Sequence, residues 1–459
     1  MKLKISEGAD PNYLATVVSC PELKEHPNAE RLQLATVFGN DVIVAKDMYD
    51  KGEKLIYFPV ECCIDRKFLS WANLLDKAEL NADGKTKGFF GKHSRVKAVR
   101  LREIPSQGFL YKVSKLSEYY GIEENAFSVG DIFDTVGDDL LVTKYVRKES
   151  NSGEQNVKKS RVPRWLNSTL GVLPRPIRRG AYTFVNAWFN RNSEGIKSQI
   201  VDGQFKFHYK TENGGRNLFM INPDDYIIIS EKLHGANGIY ANVLCKKPFN
   251  PFRNIVNFFG ASFLDKEYKF IYSSRNVIKN RRDGKYTDDI WGKIAERLDG
   301  RIPENITLYG ELIGWSSTGR NVQKDYDYSV TRGDVDFRAF RAVRNNSDGS
   351  KTELPWDEMT EICDTVGVDW VPVHYKGLAN GLFNLPLDKN WHDDFLSKLK
   401  KTYFKDQCEF CVNRVVNEGI VIRNESSPHK VALKFKSPVF LVKESSDRDN
   451  NEENIDEDN

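Results

Sequence analysis

The chain has 459 residues, 40% of them hydrophobic and 29% charged, with 68 Lys and Arg against 65 Asp and Glu for a net charge of +3. At roughly 150 residues per domain this length implies two or three domains, and the apolar content suffices for real cores and excludes wholesale disorder. No run approaches the ~20 apolar residues that cross a bilayer, the start Met1-Lys-Leu-Lys-Ile5 lacks a signal-peptide core, and seven scattered cysteines fit a reducing compartment, so we expect a soluble cytoplasmic protein.

The charge is unevenly spread. Residues 444–459 carry eight acids against Arg448 alone, which leaves −7 on this end and +10 on the rest. A basic body with an acidic, Asn-rich, aromatic-free end suggests a polyanion-binding protein with a disordered acidic tail at 444–459.

In chain order, residues 1–145 read as short strands: 13–19, 32–38, 42–46, 54–59, 95–101 and 131–135. Gly39-Asn40, Asp50-Lys-Gly52 and Asp83-Gly84 punctuate them, and a helical stretch at 68–79 interrupts. This pattern predicts an all-β barrel of the OB type with an inserted helical loop, suited to RNA binding. Arg95, Lys97, Arg100 and Arg102 form a basic strand whose alternate faces offer two pairs of cations to phosphates.

Residues 146–204 form a basic connector or insertion. Within 151–200 nine bases face Glu154 and Glu194, interleaved with Trp165, Tyr182, Phe184, Trp188 and Phe189. The composition fits equally a single-stranded nucleic-acid contact or a small helical core with a solvated basic face. From 205 to 443 strands (225–230, 270–272, 307–313, 336–343, 419–423, 431–436) mix with helices (287–298, 357–366, 391–403), which is an α+β pattern.

The chemistry concentrates in this last segment. Lys232 follows the apolar run Tyr226-Ile-Ile-Ile229 inside Glu231-Lys-Leu-His-Gly-Ala-Asn237, so a strand delivers a lysine into a sharp turn. Such a lysine becomes a nucleophile when nearby cations disfavour its charged form. Alone, Lys-x-His-Gly is better explained as a solvated turn. The motifs that follow in order change the balance: Ser274-Arg-Asn276, Tyr309-Gly-Glu-Leu312, Phe337-Arg-Ala-Phe340, Glu418-Gly-Ile-Val-Ile-Arg423 and Leu433-Lys-Phe-Lys436. Arginine grips phosphate or ribose oxygens, an aromatic stacks on a base, carboxylates on strand ends bind hydroxyls or hydrated magnesium, and Lys434 and Lys436 alternate so that both reach one phosphate.

As a set, the series resembles the six ordered motifs of the covalent nucleotidyltransferases, the superfamily of ATP-dependent ligases and RNA capping enzymes. Glu-Lys-x-His-Gly-x-Asn looks like the RNA-ligase form of the first motif, since DNA ligases and capping enzymes usually show Asp where His234 stands. His26-Pro-Asn-Ala-Glu-Arg-Leu32 is similar to the tRNA-binding OB domain of phenylalanyl-tRNA synthetase beta chains. Lys51 to Pro59, Arg95 to Arg102 and Ser106-Gln-Gly108 look like the N-terminal module of the Deinococcus-type RNA ligases. The resemblance covers residues 10–140 and 205–440.

It implies a multidomain fold: an N-terminal OB-fold barrel plus an α+β nucleotidyltransferase domain at 205–443, of the ATP-grasp-like ligase adenylation type. It further implies that Lys232 takes AMP from ATP, that Glu231 and the Leu233 backbone contact adenine, and that Arg275 holds ribose and the RNA end. Glu311 would bind ribose, Phe340 stack on the base, Glu418 organise the metal through water, Lys434 and Lys436 hold the α-phosphate, and Asn237 position the RNA 5′-phosphate. Cofactors would be ATP and Mg2+, with Mn2+ as a substitute; the partner would be RNA with 3′-hydroxyl and 5′-phosphate ends at duplex nicks, and the chain a monomer. Arg341 and Arg423 depart from the family pattern, standing where an acid and a lysine are usual. Competing readings are a DNA ligase, a GTP-using capping-type enzyme, or a non-catalytic RNA-binding protein. Cys408-Glu-Phe-Cys411 has half of a zinc-site spacing and, like Cys62-Cys63, is read as structural.

Overall fold

A computed structural model of the chain describes residues 2–146, 196–247, 266–279 and 289–449. Most of the basic connector, residues 147–195 with all five of its interleaved aromatics, lies outside the described residues.

The principal N-terminal elements are β1 (Ala15–Ser19), β2 (Leu32–Val37), β3 (Asn40–Ala45), β4 (Lys54–Phe58), α1 (Arg66–Trp71), β5 (Ala98–Leu101), β6 (Ile104–Gln107), β7 (Phe109–Lys112), α2 (Val113–Tyr120) and β8 (Ile132–Phe133). A four-stranded antiparallel sheet runs β7-β4-β1-β8. Strand alternation sends Val17, Ile56 and Phe58 to one core with Phe68, Leu116 and Phe133, and Val18, Leu55, Tyr57 and Leu110 to another with Val37 and Val42. Cover on both faces explains why these strands read as continuous apolar runs. The other strands form separate small sheets, so the expected barrel does not appear as one closed sheet among the described residues. β2 and β3 join through Phe38-Gly39, both at positive φ, as a two-residue hairpin requires.

The helix expected over 68–79 is shorter. Asp65 caps it, accepting from Phe68 N at 2.9 Å, and it ends before Asn73 turns left-handed at φ 58°. The basic strand also begins later than expected, at Ala98, and Arg95 is buried at 4% exposure.

The C-terminal unit contains β9 (Glu212–Asn213), β10 (Tyr226–Glu231), β11 (Ala236–Lys246), β12 (Lys266–Ser273), α3 (Ile290–Leu298), β13 (Ile306–Gly314), β14 (Val335–Asn345), β15 (Lys351–Glu353), α4 (Trp356–Val366), β16 (Val373–Leu378), α5 (Trp391–Tyr403), β17 (Gly419–Asn424), β18 (Ala432–Lys436) and α6 (Pro438–Asp449). One sheet has the order β9-β18-β17-β10-β16, the other β12-β11-β13-β14-β15. Ile227 and Ile229 of β10 pack with Trp391, Phe395 and Leu399, one face of α5; Ile228 points instead into the core under the second sheet, with Trp291, Ile294 and Leu298 of α3. Residues 196–204, expected in the connector, lie on β11: Val201 N donates to Leu244 O at 3.0 Å, and Ile196 and Ile200 pack on Val243 and Ile271.

The expectation of a disordered tail from 444 is corrected by α6, which continues to Asp449 and ties the two units together. Arg448 Nη1 donates to Glu61 Oε2 at 2.6 Å, Arg95 reaches Glu61, Ser445 O and Asp449, Lys97 pairs with Asp449 at 2.7 Å, and Ala98 N donates to Ser445 Oγ. Asp449, which read as solvated in sequence, pairs with Arg95 and Lys97, two of the four cations that read as an RNA contact; Arg100 and Arg102 stay exposed. On another side of the interface, Arg216 donates to the carbonyls of Pro11 and Leu14 at 3.2 and 3.1 Å, with its guanidinium 5.4 Å from both the Phe38 and Tyr57 rings.

Candidate active site

β10 ends at Glu231, and the next residue is held to the sheet by Lys232 N donating to Gly419 O at 2.9 Å. The turn that follows packs against β13: a Cβ on Gly235 would stand 2.3 Å from Leu312 O, so only glycine fits. Gly235 N donates to Glu311 Oε1 at 3.2 Å, Gln323 Nε2 to Gly235 O at 2.8 Å, and His234 N to Tyr328 Oη at 2.8 Å. The lysine therefore sits on a turn whose main chain is fixed at Lys232, His234 and Gly235.

Its side chain meets Glu418. Lys232 Nζ is 2.7 Å from Glu418 Oε1, His234 Nδ1 is 3.1 Å from Oε2, and Lys436 Nζ is 3.9 Å from Oε1. Burial alone would raise the Glu418 carboxyl, yet Lys232, His234 and Lys436 together hold it well below the usual carboxylate range. Leu433 and Phe435 of β18 enter the core on α5, so alternation turns Lys434 and Lys436 to the opposite face. Burial, followed by the charges of Lys436 and Lys232, pushes Lys434 down to about 8. Lys436 goes the other way: burial would lower it, but Glu444 and Glu418 outweigh that, and Glu444 accepts from its Nζ at 2.7 and 2.9 Å. Lys434, Lys436, Glu444, Arg448, Glu61 and Tyr13 line a cavity of about 140 Å³ between the two units.

On the second sheet Asn237 pairs directly with Glu311, and Glu311 with Arg338. The register between β13 and β14 skips Phe340, leaving it at a bulge where it packs on Ile239, Tyr309 and Val343. Alternation puts Ile239 and Tyr309 on the face that carries Asn237 and Glu311. Arg275 follows β12, is exposed, and acts electrostatically on Lys434 and His208.

Glu231 is 3% exposed and doubly bound: Oε1 accepts from Asn417 Nδ2 at 2.7 Å, and Oε2 is 2.9 Å from His374 Nε2. Burial raises its pKa despite these partners. His374, Asn417, Tyr328, Gln323 and Glu444 are parts of the site that sequence reading missed. His374 lies 143 residues from Glu231 on a separate strand, and no local pattern marks it. The departures Arg341 and Arg423 form one feature, because both pair with Glu353, at 2.8 and 3.3 Å, away from the lysine cluster. Cys408 and Cys411 share a thiol hydrogen bond, and among the described residues no group of three or more His, Cys, Asp or Glu is placed to hold a metal.

Two family models match the chain: an RNA ligase model over residues 225–440 and an OB-fold domain model over residues 14–113. Among solved structures, a Naegleria gruberi RNA ligase mutant with ATP and Mn is 17% identical, covers 94% of this chain and 98% of its own, and superposes with a TM-score of 0.53. The Naegleria gruberi RNA ligase with PPi is 15% identical, with 95% and 99% covered and a TM-score of 0.53. No curated protein matches the chain. The N-terminal unit is thus an OB-fold domain and the C-terminal unit carries the ligase fold. No helix among the described residues is long and apolar enough to cross a membrane.

Proposed function

With residues 225–440 an RNA ligase domain, we propose that the chain joins RNA 3′-hydroxyl and 5′-phosphate ends, at nicks in duplexes, through a lysyl-AMP formed on Lys232. One observation carries this reading: the Lys232 ammonium lies 2.7 Å from the buried Glu418 carboxylate, with Lys434 and Lys436 beside it on the facing strand. Lys232 attacks the α-phosphorus of ATP once its proton has left to solvent, and the ionised Glu418 carboxylate in contact with Nζ holds the lysine in place. Lys434 and Lys436 neutralise the charge that builds on the α-phosphate, and pyrophosphate departs. AMP then passes to the RNA 5′-phosphate, and the 3′-hydroxyl displaces it. Glu311 and Asn237, paired across one sheet face, supply ribose and RNA contacts; Arg275 supplies a further phosphate contact, and Phe340 an aromatic face for the base. Glu231 and the Leu233 backbone read adenine.

A divalent ion fits as the partner of ATP, because Glu418 offers a hard carboxylate while Mg2+ binds mainly through waters and substrate phosphates. Bound there, Mg2+ or Mn2+ neutralises triphosphate charge; Mn accompanies ATP in the Naegleria relative. We further read the enzyme as a monomer, divided at 1–145, 146–204 and 205–443 except that 196–204 and α6 join the ligase unit.

The test is covalent labelling with α-labelled ATP and magnesium, wild type beside Lys232→Ala. Label on wild type that the variant lacks supports the reading; no label on wild type after pyrophosphate treatment to strip pre-bound AMP sinks it.

A further inference from the structure

Half of the basic segment that would have served the OB-fold unit as an RNA contact is occupied: Arg95 and Lys97 pair with Asp449 of α6, while Arg100 and Arg102 stay exposed. A different part of this unit has the features of a nucleic-acid contact. In the loop after α1, Phe90 fills the core at 3% exposure, while its neighbour Phe89 stands 64% exposed. The backbone fixes this arrangement. Gly88 N donates to Leu75 O at 2.8 Å, Phe89 N and Phe90 N both donate to Leu74 O at 2.9 Å, and Asn81 clamps the loop through Leu75 and Thr86. A Cβ on Gly88 would fall 2.1 Å from the Leu74 backbone, so the two segments lie in direct contact and Phe89 cannot exchange places with Phe90.

Beneath the exposed ring is an aromatic stack. Phe89 lies 4.8 Å from the Phe90 centroid and 5.5 Å from that of Phe109, and Phe109 continues to Tyr111 at 5.8 Å. The loop that carries it is rich in cations: Lys85, Lys87 and Lys92 are exposed, no acid occurs from Lys85 to Arg95, and Arg66 joins them by donating to Lys92 O at 2.9 Å, while the nearby acids Asp83 and Asp76 are set against the loop's own backbone, Asp83 accepting from Lys85 N and Thr86 N. A rigid exposed ring with cations in the same loop is what an unpaired base and its flanking phosphates require.

We propose that Phe89 is a stacking platform for an unpaired base of an RNA strand, with Lys85, Lys87 and Lys92 on the adjacent phosphates. The proposal rests on the RNA ligase reading and adds a site for the strand outside the nucleotide pocket.

The test uses the full chain and a fluorescent single-stranded RNA, read by anisotropy over a range of salt, with lysyl-AMP formation measured on every protein. Phe89→Ala should weaken binding about tenfold with an unchanged salt slope, since stacking is sequence-tolerant and uncharged. Phe89→Trp should retain wild-type affinity. The double variant Lys85→Ala, Lys87→Ala should reduce the salt slope by about one to two. Lysyl-AMP formation should be equal in all of them. Wild-type RNA affinity in Phe89→Ala overturns the proposal, including the case in which this surface serves a protein partner; absence of RNA binding by the wild type also overturns it. Failure of the wild type to form lysyl-AMP is a separate result and counts against the ligase reading alone.

Discussion

Ending the chain after Asp449 or after Lys443 separates the disordered-tail expectation from the docked helix. Removing 450–459 leaves α6 whole and serves as the reference for the longer truncation. Removing 444–459 breaks the ion pairs that Glu444, Arg448 and Asp449 make with the two units. Glu444 leaves Lys436, whose side chain is 25% exposed and keeps only Glu418 at 3.9 Å; Arg448 leaves Glu61, which is 8% exposed and keeps Arg95; Asp449, 42% exposed, leaves Arg95 and Lys97. Stranding one partner of a fully buried pair costs about 3–5 kcal/mol, and the partial exposure and remaining partners here reduce each of the first two to about 1–2 kcal/mol. The exposed Asp449 contacts add about 0.5 kcal/mol. A total of about 2.5–4.5 kcal/mol should lower the first melting transition by roughly 5–18 °C. Lysyl-AMP formation should fall as well, most at alkaline pH, because Lys436 loses the carboxylate that raises its pKa. Scanning calorimetry and the labelling assay on both truncations check this. Identical melting and labelling in the two would show that α6 does not hold the units or Lys436 in place.

Lys434, depressed to about 8, gives a pH signature. Between that value and the ordinary lysine pKa the unfolded chain holds a proton that the folded chain lacks, so this group's contribution makes stability rise with pH across the window, while the phosphate-binding charge is lost above about 8. kcat/KM for ATP should therefore fall above that pH in wild type and hold in Lys434→Arg; a profile equal in both would refute the assignment. Glu418→Gln removes the carboxylate that holds Lys232 and His234 and should reduce lysyl-AMP formation about 100-fold through misplacement of the lysine; a variant as active as wild type would show that this carboxylate does not position it. Glu231→Ala should narrow ATP-over-GTP preference in the labelling assay, and unchanged selectivity would remove Glu231 from base reading. Glu353→Ala strands the buried guanidinium of Arg341, while Arg423 keeps Glu425 and Leu354 O, and should cost about 3 kcal/mol by chemical denaturation, the low end for a buried pair; a neutral change would show that Arg341 is not held by this carboxylate.

The strands 54–58 and 226–231 were readable because apolar side chains on both faces meet a core, and α5 because Trp391, Phe395 and Leu399 repeat at helical spacing. The order of the motif residues around Lys232 was readable for a chemical reason: each residue type suits one part of a nucleotide. β11 was not recognised, since its Gly238, Asn237 and Asn242 carry weak strand propensity and the pairing with β12 and β13 forms it. The fate of Arg95 and of the acids after 443 was equally hidden. Both are set by contacts more than 340 residues apart in the chain, which composition and periodicity do not encode.

Arg216 reaches across to the carbonyl oxygens of residues 11 and 14 and to no side chain at those positions. That makes this attachment indifferent to which amino acids stand there, provided the main chain follows the same path. Replacements at 11 or 14 that keep the backbone dihedral angles would leave the grip intact, whereas a one-residue insertion between them would displace an acceptor and loosen it. At positions 11 and 14 the fold is recognised by its trace, and drift in residue identity there is tolerated in a way that drift in segment length is not, whereas Asn12, Phe38 and Tyr57 meet the same joint through their side chains.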